Sequence, residues 1–321
     1  MTNLQQFGIS DEQLRHAAEL LRSGRLVAFP TETVYGLGAD ALNERAVARI
    51  FEVKGRPNAS PVIVHVSSRR MAEQVAASWP VRARVLSERF WPGPLTLVVP
   101  KTAAVPDIVT AGLPTVGIRM PAHPVALALI EAAQLPVAAP SANRFTQLSP
   151  TAADHVRRAL GDAVDFILDG GPCQVGIEST VLSLATDTPV LLRPGGISRR
   201  QIQELVGPIK SAAEVSEGPH SSPGMHPRHY SPHTPLVLVQ NGETPSSGMG
   251  AYLQLRTPAA MPVGETIVMP CEPAQYAARL YRVLHALDAS GYDWIAVETP
   301  PATVEWEAVL DRLRRAAAST S

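Results

Sequence analysis

The sequence predicts a mixed α/β protein of about two domains, on the strength of three features. The chain has 321 residues, which at roughly 150 residues a domain suits two domains that each bury a core. Short apolar runs of strand length alternate with segments of helical periodicity. Hydrophobic residues make up 45% and charged residues 18%, and this composition excludes intrinsic disorder.

Strands and helices are predicted in alternation along residues 1–210. Apolar runs of strand length, many of them β-branched, lie at 26–29, 62–66, 95–99, 116–120, 164–168, 180–184 and 190–192. Segments with helical periodicity lie at 11–21, 44–53, 82–90, 125–133 and 152–159. Ser10 precedes the first helix and Ser149 with Pro150 precedes the last, where a hydroxyl can cap free amides and proline suits the first turn.

A segment rich in proline, glycine, serine and histidine divides the chain at 211–235, and its repeated prolines exclude a continuous helix. We interpret it as an interdomain linker. Beyond it, buried strands are predicted at 236–239, 266–269 and 294–298, with helices near 274–287 and 304–317. The predicted organisation is therefore a larger domain over 1–210, the linker, and a small Rossmann-like α/β domain over 236–321.

Charge and cysteine content exclude several classes of protein. The formal net charge of −1 argues against a domain that wraps duplex nucleic acid by counterion release. Cys173 and Cys271 lie far apart, with no second cysteine at metal-ligand spacing, so neither a disulfide framework nor a zinc site is expected. No signal peptide or membrane span is predicted, and a reducing cytoplasm is the expected location.

The densest polar chemistry follows the first predicted strand, in the segment FPTETVYGLG at 29–38. Ligands of open α/β sheets usually bind where strands end, although an ordinary capped turn is the alternative. Gly36, Gly38 and Ala41 also fit a relaxed dinucleotide fingerprint. That fingerprint requires its first glycine directly at the strand end, and here residues 30–35 intervene.

Lys54 and Arg56 flank Gly55 at the predicted end of a helix. Two cations around a glycine can close on a polyphosphate, the lysine as a point charge and the arginine as a bidentate fork. A helix C-cap, in which glycine ends the helix and cations suit its dipole, explains the same residues. The sequence has no GxxxxGK[ST] motif, so a P-loop is excluded.

Polar side chains end several other apolar strands. Arg119 and Arg193 each follow such a run, and a guanidinium there needs an anionic partner, either a structural carboxylate or a ligand. Ser141, Asn143 and Ser179 also lie at strand ends. None lies in G-x-S-x-G, so we assign them to ligand hydrogen bonding and not to a serine nucleophile.

For each of four histidines the sequence allows two possible roles. His226, His229 and His233 fall within the linker, and they suit either a metal cluster or, as we favour, a mobile basic or aromatic lid. His65, inside an apolar run, is either a satisfied core histidine or a ligand contact.

Six motifs taken together resemble those of the YrdC-like threonylcarbamoyl-AMP synthases. They are FPTETVYGLG (29–38), KGRP (54–57), WPGPLT (91–96), VGIRMP (116–121), APSAN (139–143) and LRPG (192–195). The resemblance runs in order through residues 10–207. The linker motif SPGM (222–225), His229 with Tyr230, and the trailing α/β domain resemble the long two-domain form of the family.

This resemblance implies a YrdC-like twisted mixed sheet with flanking helices, and a nucleotidyltransferase activity. L-Threonine, bicarbonate and ATP would yield L-threonylcarbamoyladenylate and pyrophosphate, with Mg²⁺ accompanying ATP. The product would feed tRNA modification. A separate partner, the TsaD-containing transferase complex, would move the threonylcarbamoyl group to adenosine 37 of ANN-decoding tRNAs. The resemblance leaves a weak direct contact with tRNA open and implies no membrane partner.

The resemblance also implies roles for individual residues. Lys54 and Arg56 would be catalytic. Threonine would contact Thr33, His65, Arg119, Ala139 and Ser179. ATP would contact Arg56, Ser60, Thr115, Ser141, Asn143, Ser149 and Arg193. No metal ligand is expected from the chain.

The sequence departs from the family pattern in the linker and beyond it. Family linkers often place a tyrosine two residues after the Gly-Met pair, where this chain has Pro227, so His226 or Tyr230 would have to substitute for it. A stretch rich in glycine and serine occupies 241–250, where a helix would be expected.

Two rival functions belong to other classes. One is a non-catalytic RNA-binding module, which the weak net charge and the absence of interleaved aromatic residues argue against. The other is a carbamoyl-AMP-forming hydrogenase-maturation enzyme, which would carry acylphosphatase and zinc-finger segments that this sequence lacks.

Overall fold

The computed structural model describes residues 4–57, 60–214 and 229–318. Its larger part is built on a ten-stranded mixed sheet with the strand order β10-β9-β8-β4-β5-β3-β6-β2-β1-β7. The strands are β1 Val27–Pro30, β2 Tyr35–Asp40, β3 Val64–His65, β4 Leu95–Pro100, β5 Thr115–Arg119, β6 Val137–Ala138, β7 Phe166–Ile167, β8 Thr180–Ser183, β9 Val190–Arg193 and β10 Lys210–Ser211. The helices of this part are α1 Asp11–Arg22, α2 Glu44–Lys54, α3 Arg69–Val75, α4 Val81–Phe90, α5 Asp107–Thr110, α6 Pro124–Ala133, α7 Ala153–Leu160 and α8 Arg199–Val206.

The smaller part is a four-stranded parallel sheet with the order β11-β14-β12-β13. Its strands are β11 Leu236–Val239, β12 Gly250–Gln254, β13 Glu265–Val268 and β14 Trp294–Glu298. Helices α9 Pro273–Asp288 and α10 Glu307–Ala317 pack their apolar faces against the sheet. The predicted mixed α/β architecture is confirmed, including the second, smaller sheet.

Two helices end as the local sequence predicts, whereas the predicted cap by Ser149 is wrong: α7 begins at Ala153 without a side-chain cap, and Ser149 Oγ donates to Glu178 instead. Ser10 and Gln13 form a reciprocal capping box at the start of α1. Asn43 caps α2, and Gly55 ends it in the left-handed region with φ 61°. The C-cap interpretation of Gly55 is therefore correct, and this cap fixes the direction in which the chain continues toward Arg56.

The segment at 29–38 contains a strand that the sequence did not predict. After a turn at 31–34 the chain returns as β2, which pairs antiparallel with β1 and pairs Phe29 with Gly36. A Cβ on Gly38 would lie 2.7 Å from the Phe29 ring and 2.9 Å from Val137. The glycines that suggested a nucleotide fingerprint instead make room for side chains of neighbouring strands.

The two sheets share one apolar contact region. Val34, Leu148 and Ile177 belong to the larger part, yet they lie in the same buried cluster as residues of α9, α10 and the small sheet. Gly176 touches α9 so closely that a Cβ there would lie 2.6 Å from the carbonyl oxygen of Ala277. The two parts of the chain are thus packed together. The predicted domain boundaries, 1–210, 211–235 and 236–321, stay a prediction.

Much of the predicted linker, 215–228, lies outside the described residues, and with it His226 and Pro227. The stretch at 241–250 forms turns that lead into β12 at Gly250, where a Cβ would lie 2.1 Å from the Trp294 ring. Within the described ranges, no helix has both the length and the apolar character needed to cross a bilayer.

Candidate active site

A largely buried cavity of about 520 Å³, its mouth included, lies where several strands of the large sheet end. It unites segments far apart in sequence, because β3, β5, β6 and β9 end near it and β8 begins there. Its lining includes the predicted site residues Thr33, Arg56, His65, Arg119, Ala139, Ser141, Ser179 and Arg193. It also includes residues that the site prediction omitted, namely Thr31, Val34, Gly36, Ile63, Pro140, Glu178, His229 and Tyr230.

Arg119 occupies one end of the cavity, at the end of β5, and is held on three sides. A guanidinium nitrogen lies 2.7 Å from a carboxylate oxygen of Glu32. Nη1 donates to Thr33 Oγ1 at 2.9 Å, and Nε donates to the carbonyl of Gly93 at 3.2 Å. The structural carboxylate that a buried arginine requires is therefore Glu32, and this pair fixes the guanidinium at the cavity wall.

Arg193 and Ser179 form a second polar wall, at the end of β9 and just before the start of β8. Arg193 donates from Nε to the Ser179 carbonyl at 3.1 Å and from Nη2 to Ser179 Oγ at 3.2 Å. Ser179 Oγ also lies 2.8 Å from Thr96 Oγ1. The predicted threonine residue and the predicted ATP residue thus touch each other, so the two proposed subsites meet here.

Arg56 lines the cavity, and its Nη2 donates to the carbonyl of Pro61 at 2.8 Å. Burial lowers the pKa of Arg56 to about 10. Tyr230 opposes this shift, and the positive charge of Arg193 adds to it. Lys54 lies behind the wall, buried, and its Nζ donates to the backbone carbonyls of Ser141 and Asn143. Burial, and then the charge of Arg56, lowers the pKa of Lys54 well below its usual value. Lys54 therefore meets the cavity through the loop that carries Ser141.

The remaining predicted ATP residues surround the cavity without all lining it. Thr115 lines a smaller neighbouring cavity that shares Ile63 with the first. The Ser60 carbonyl lies 3.4 Å from Arg56 Nη2. Ser149 Oγ donates to the Glu178 carboxylate, and the Asn143 amide donates to the carbonyls of Arg144 and Gln147.

His65 is a buried, neutral imidazole at the cavity wall. Burial, and then the charge of Arg119, lowers its pKa to about 3. Its ring meets the Phe29 ring edge to face at 6.3 Å between centroids. His65 is therefore packed as a core histidine on one side while its other side faces the cavity, so both readings of the sequence describe part of its environment.

Several buried polar atoms around the cavity lack a hydrogen-bond partner within the part of the chain that the structure describes. They are Arg56 Nε, His65 Nδ1, Asn143 Oδ1, His229 Nδ1 and Tyr230 Oη. Buried polar groups in folded proteins are almost always hydrogen-bonded, and exceptions need an explanation. Their concentration at one cavity makes this cavity the candidate binding site for a polar ligand.

His229 and Tyr230, the described end of the predicted lid, form part of the cavity wall. Tyr230 is 1% exposed and has φ 62°, an uncommon conformation for a large side chain. His229 packs edge to face on Tyr230 and on Phe145. The described residues contain no group of three potential metal ligands, and His226 of the alternative metal cluster lies outside them.

Sequence reasoning missed Glu178 as a site residue, and it named Tyr230 only as one of two substitutes for the expected linker tyrosine. Tyr230 lay in a linker whose path no local pattern reveals. Glu178 stood beside Ser179 in the sequence, but its burial depends on an arginine 134 residues away, Arg312. The one local sign in the sequence was the position of Glu178, directly before Ser179 at the start of an apolar strand.

Comparison with known proteins places this geometry in a family. The Sua5–YciO–YrdC family model, described as telomere recombination, matches residues 19–195. A second model, described as the threonylcarbamoyl-AMP synthase C-terminal domain, matches residues 197–318.

Two curated relatives are named threonylcarbamoyl-AMP synthase. The Bacillus subtilis protein is 44% identical, with 96% of this chain and 94% of the relative covered. The Pyrococcus abyssi protein is 41% identical, with 96% and 95% covered. The crystal structure of P. abyssi Sua5 complexed with L-threonine superposes with a TM-score of 0.89 at 40% identity, covering 96% of this chain and 95% of that one. This chain therefore belongs to the Sua5–YciO–YrdC family, in the form that carries the threonylcarbamoyl-AMP synthase C-terminal domain.

Proposed function

We propose that this chain is an L-threonylcarbamoyladenylate synthase, a nucleotidyltransferase that converts L-threonine, bicarbonate and ATP to threonylcarbamoyl-AMP and pyrophosphate. The observation that carries the proposal is the cavity itself. It combines arginines, hydroxyls and unpartnered buried polar atoms, and its described lining holds no nucleophile paired with a base. Both curated relatives described above are named for this product.

Threonine binds at the end of the cavity that holds Arg119. The guanidinium is fixed by Glu32 and Thr33, and a bidentate contact with the substrate carboxylate suits its planar donors. His65, neutral and with Nδ1 facing no partner in the described chain, offers the threonine amine a hydrogen bond. Ala139 and Ser179 complete this end. The P. abyssi structure solved with L-threonine supports a threonine site in this fold.

ATP binds along the opposite wall. Arg56 and Arg193 face the phosphates, and Ser141, Ser149 and Asn143 supply hydroxyl and amide groups. Lys54, for which the resemblance implies a catalytic role, lies behind the same wall and acts on it by holding the carbonyls of the Ser141 loop.

Ser60 and Thr115, which the resemblance also assigns to ATP, lie beside this wall. The Ser60 carbonyl is 3.4 Å from Arg56 Nη2, and Thr115 lines the small cavity that shares Ile63 with the first. That small cavity has room for about one water molecule, so it is too small for the base.

The reaction then depends on alignment of the carbamate with the α-phosphate of ATP, and it needs no nucleophile from the protein. The threonine amine and bicarbonate form a carbamate with loss of water. A carbamate oxygen bonds to the α-phosphorus as the bond to pyrophosphate breaks. Holding these groups in line can supply effective molarities on the order of 10⁵ M or more. Arg56 and Arg193 offset the charge that develops on the phosphates, and the buried wall of His229 and Tyr230 limits water near the adenylate.

Mg²⁺ fits this site as a companion of the ATP phosphates. The described residues provide no group of three metal ligands, and the two carboxylates at the cavity, Glu32 and Glu178, are each paired with an arginine. Bound to the phosphates, Mg²⁺ would neutralise charge that Arg56 and Arg193 neutralise in part.

The proposed reaction is tested by pyrophosphate release from ATP with and without threonine, bicarbonate and tRNA. Release should require the first two and not tRNA, which separates the enzyme from the RNA-binding alternative. Arg119→Gln should raise KM for threonine by about tenfold or more through loss of a charged contact, and Arg193→Gln should do so for ATP. Arg200→Gln, which breaks an exposed pair with Glu204, is the matched control. Normal KM values in both site variants would refute the assignment.

We further propose that the product passes to the TsaD-containing complex, which transfers the threonylcarbamoyl group to adenosine 37 of ANN-decoding tRNAs in the cytoplasm. An adenylate that is labile in water favours close transfer to its consumer. The near-neutral chain supports tRNA binding by the partner complex more than by this protein. Modification of unmodified tRNA by the combined proteins tests this step, and no modification despite adenylate formation would contradict it.

A further inference from the structure

The largest fully buried side chain of the described residues is Arg312, on α10 of the smaller part. Its Nε donates to Glu178 at 2.6 Å, and its Nη2 donates to the carbonyl of Pro194 at 3.0 Å. Its guanidinium also lies over the Tyr230 ring, 5.0 Å from the centroid. One side chain from beyond the linker thus reaches three segments of the active-site wall.

Two of these contacts lie next to the residues of the proposed ATP-binding wall, Ser179 and Arg193. Glu178 immediately precedes Ser179, and Pro194 immediately follows Arg193. Ser179 and Arg193 are the hydrogen-bonded pair at the centre of that wall. Arg312 therefore braces this pair from both sides.

Glu178 extends the same network to Ser149 and Tyr281. Ser149 Oγ donates to one carboxylate oxygen, and Tyr281 Oη lies 3.2 Å from the other. Burial alone would raise the pKa of Glu178, but the charge of Arg312, then that of Arg193, outweighs burial and keeps the pKa below its usual value. The cavity wall thus contains an ionised carboxylate beside the proposed phosphate site, and its direct ion-pair partner comes from α10, with Arg193 as a second nearby charge.

We propose that Arg312 is a positioning residue through which the C-terminal part of the chain sets the charge and geometry of the ATP wall. The inference rests on the proposed function for its substrate and goes beyond it in assigning a task to the C-terminal part. Arg312 neutralises Glu178, so the triphosphate does not meet an uncompensated anion. It also holds Glu178 and Pro194 at the spacing that keeps Ser179 against Arg193.

The threonine end of the cavity is held by a separate ion pair, so replacement of Arg312 should change threonine binding less than ATP binding. Arg119 is paired with Glu32, and both belong to the larger part of the chain. Packing between the two parts does not depend on Arg312 alone, because the apolar cluster around Val34, Leu148 and Ile177 also joins them. Replacement of Arg312 should therefore affect ATP more than threonine.

The test compares Arg312→Met, the double variant Arg312→Met/Glu178→Gln, and Arg199→Met. Arg199 pairs with Glu307 at 2.9 Å, so its replacement breaks a more exposed ion pair between the same two parts. We expect Arg312→Met to raise KM for ATP about tenfold or more with less than about threefold change for threonine, because a carboxylate that has lost its principal counter-charge now faces the phosphates. The double variant should recover most of the ATP affinity, and Arg199→Met should resemble wild type.

A purely structural role would give a different pattern. The turnover number would fall in proportion to misfolded protein, KM for ATP would stay unchanged, and Glu178→Gln would restore nothing; this result would overturn the proposal. If Arg312→Met does not fold, Arg312→Lys takes its place. It keeps the charge beside Glu178 while it loses the contact with Pro194, so a KM for ATP within about threefold of wild type is expected, and a rise of about tenfold or more would overturn the charge argument.

A ligand-free measurement separates this inference from the proposed function. The Thr180 amide donates to the carbonyl of Pro94 at 3.0 Å, at the start of the strand that Arg312 braces. Its hydrogen exchange should be faster in Arg312→Met than in wild type and unchanged in Arg199→Met. If wild type makes no adenylate, the proposed function fails while this exchange result still decides whether Arg312 orders the wall; unchanged exchange would contradict it.

Discussion

Replacement of Lys54 by methionine should destabilise the protein and loosen the Ser141 loop together. Lys54 Nζ donates to the carbonyls of Ser141, at 2.6 Å, and Asn143. Its own carbonyl accepts from the amide of Phe145 at 2.8 Å. Methionine keeps the volume and the backbone bond but removes both Nζ contacts.

The expected loss follows from which groups are left unpaired. The Ser141 carbonyl also accepts from the Asn143 amide, so it keeps one partner. The carbonyl of Asn143 receives Lys54 Nζ alone among the described donors. Two hydrogen bonds at about 0.5–1.5 kcal/mol each, plus about 1–3 kcal/mol for a buried carbonyl without a donor, give a loss of about 2–6 kcal/mol in unfolding free energy.

Urea titration followed by circular dichroism measures this loss, and Lys101→Met is the control. Lys101 makes the same kind of contacts, 2.7 Å to the carbonyl of Val105 and 2.8 Å to Asp107, but its carboxylate partner is 81% exposed. That variant should lose less than about 1 kcal/mol. An unfolding midpoint for Lys54→Met equal to that of wild type would refute the anchoring argument.

Two further predictions concern pH and close packing. Because the folded pKa of His65 is about 3 against a usual 6.5, its contribution to stability is complete above pH 6.5 and is lost as the pH falls, by about 2 kcal/mol at pH 5. Urea midpoints across this range should show the loss, and His65→Asn should reduce it; an equal slope in that variant would contradict it. Gly195→Ala should cost about 3 kcal/mol or more, because its Cβ would lie 2.3 Å from the Thr180 amide nitrogen, whereas Gly117→Ala meets its first neighbour at 3.3 Å and should be milder. Equal melting temperatures of the two glycine variants would contradict the packing argument.

Several polar residues that the sequence singled out come together in the structure, whereas part of the local fold around them was not predicted. Strand-end polar residues such as Arg119, Ser179 and Arg193 converge because several strands end at one place in the sheet, and that rule needs no tertiary detail. Strand β2 was missed because its glycines, Gly36 and Gly38, are typical of loops. Their purpose is steric, since Gly38 leaves room for a ring on the neighbouring strand.

Contacts between distant segments were beyond the reach of sequence patterns. The alternatives for Arg119 included a structural carboxylate, but no spacing rule identifies Glu32 as that carboxylate. The pair of Glu178 with Arg312 joins the two parts of the chain, and nothing local to either residue indicates the other. Such pairs arise from tertiary packing, which decides where a buried charge finds its partner.

The most direct test of the account is mass spectrometry of the product formed from ATP, L-threonine and ¹³C-bicarbonate without tRNA. The account predicts a threonylcarbamoyl-AMP ion that carries one ¹³C, disappears when threonine is omitted, and accumulates in step with pyrophosphate. Pyrophosphate release without that labelled ion, or ATP bound without turnover, would contradict it.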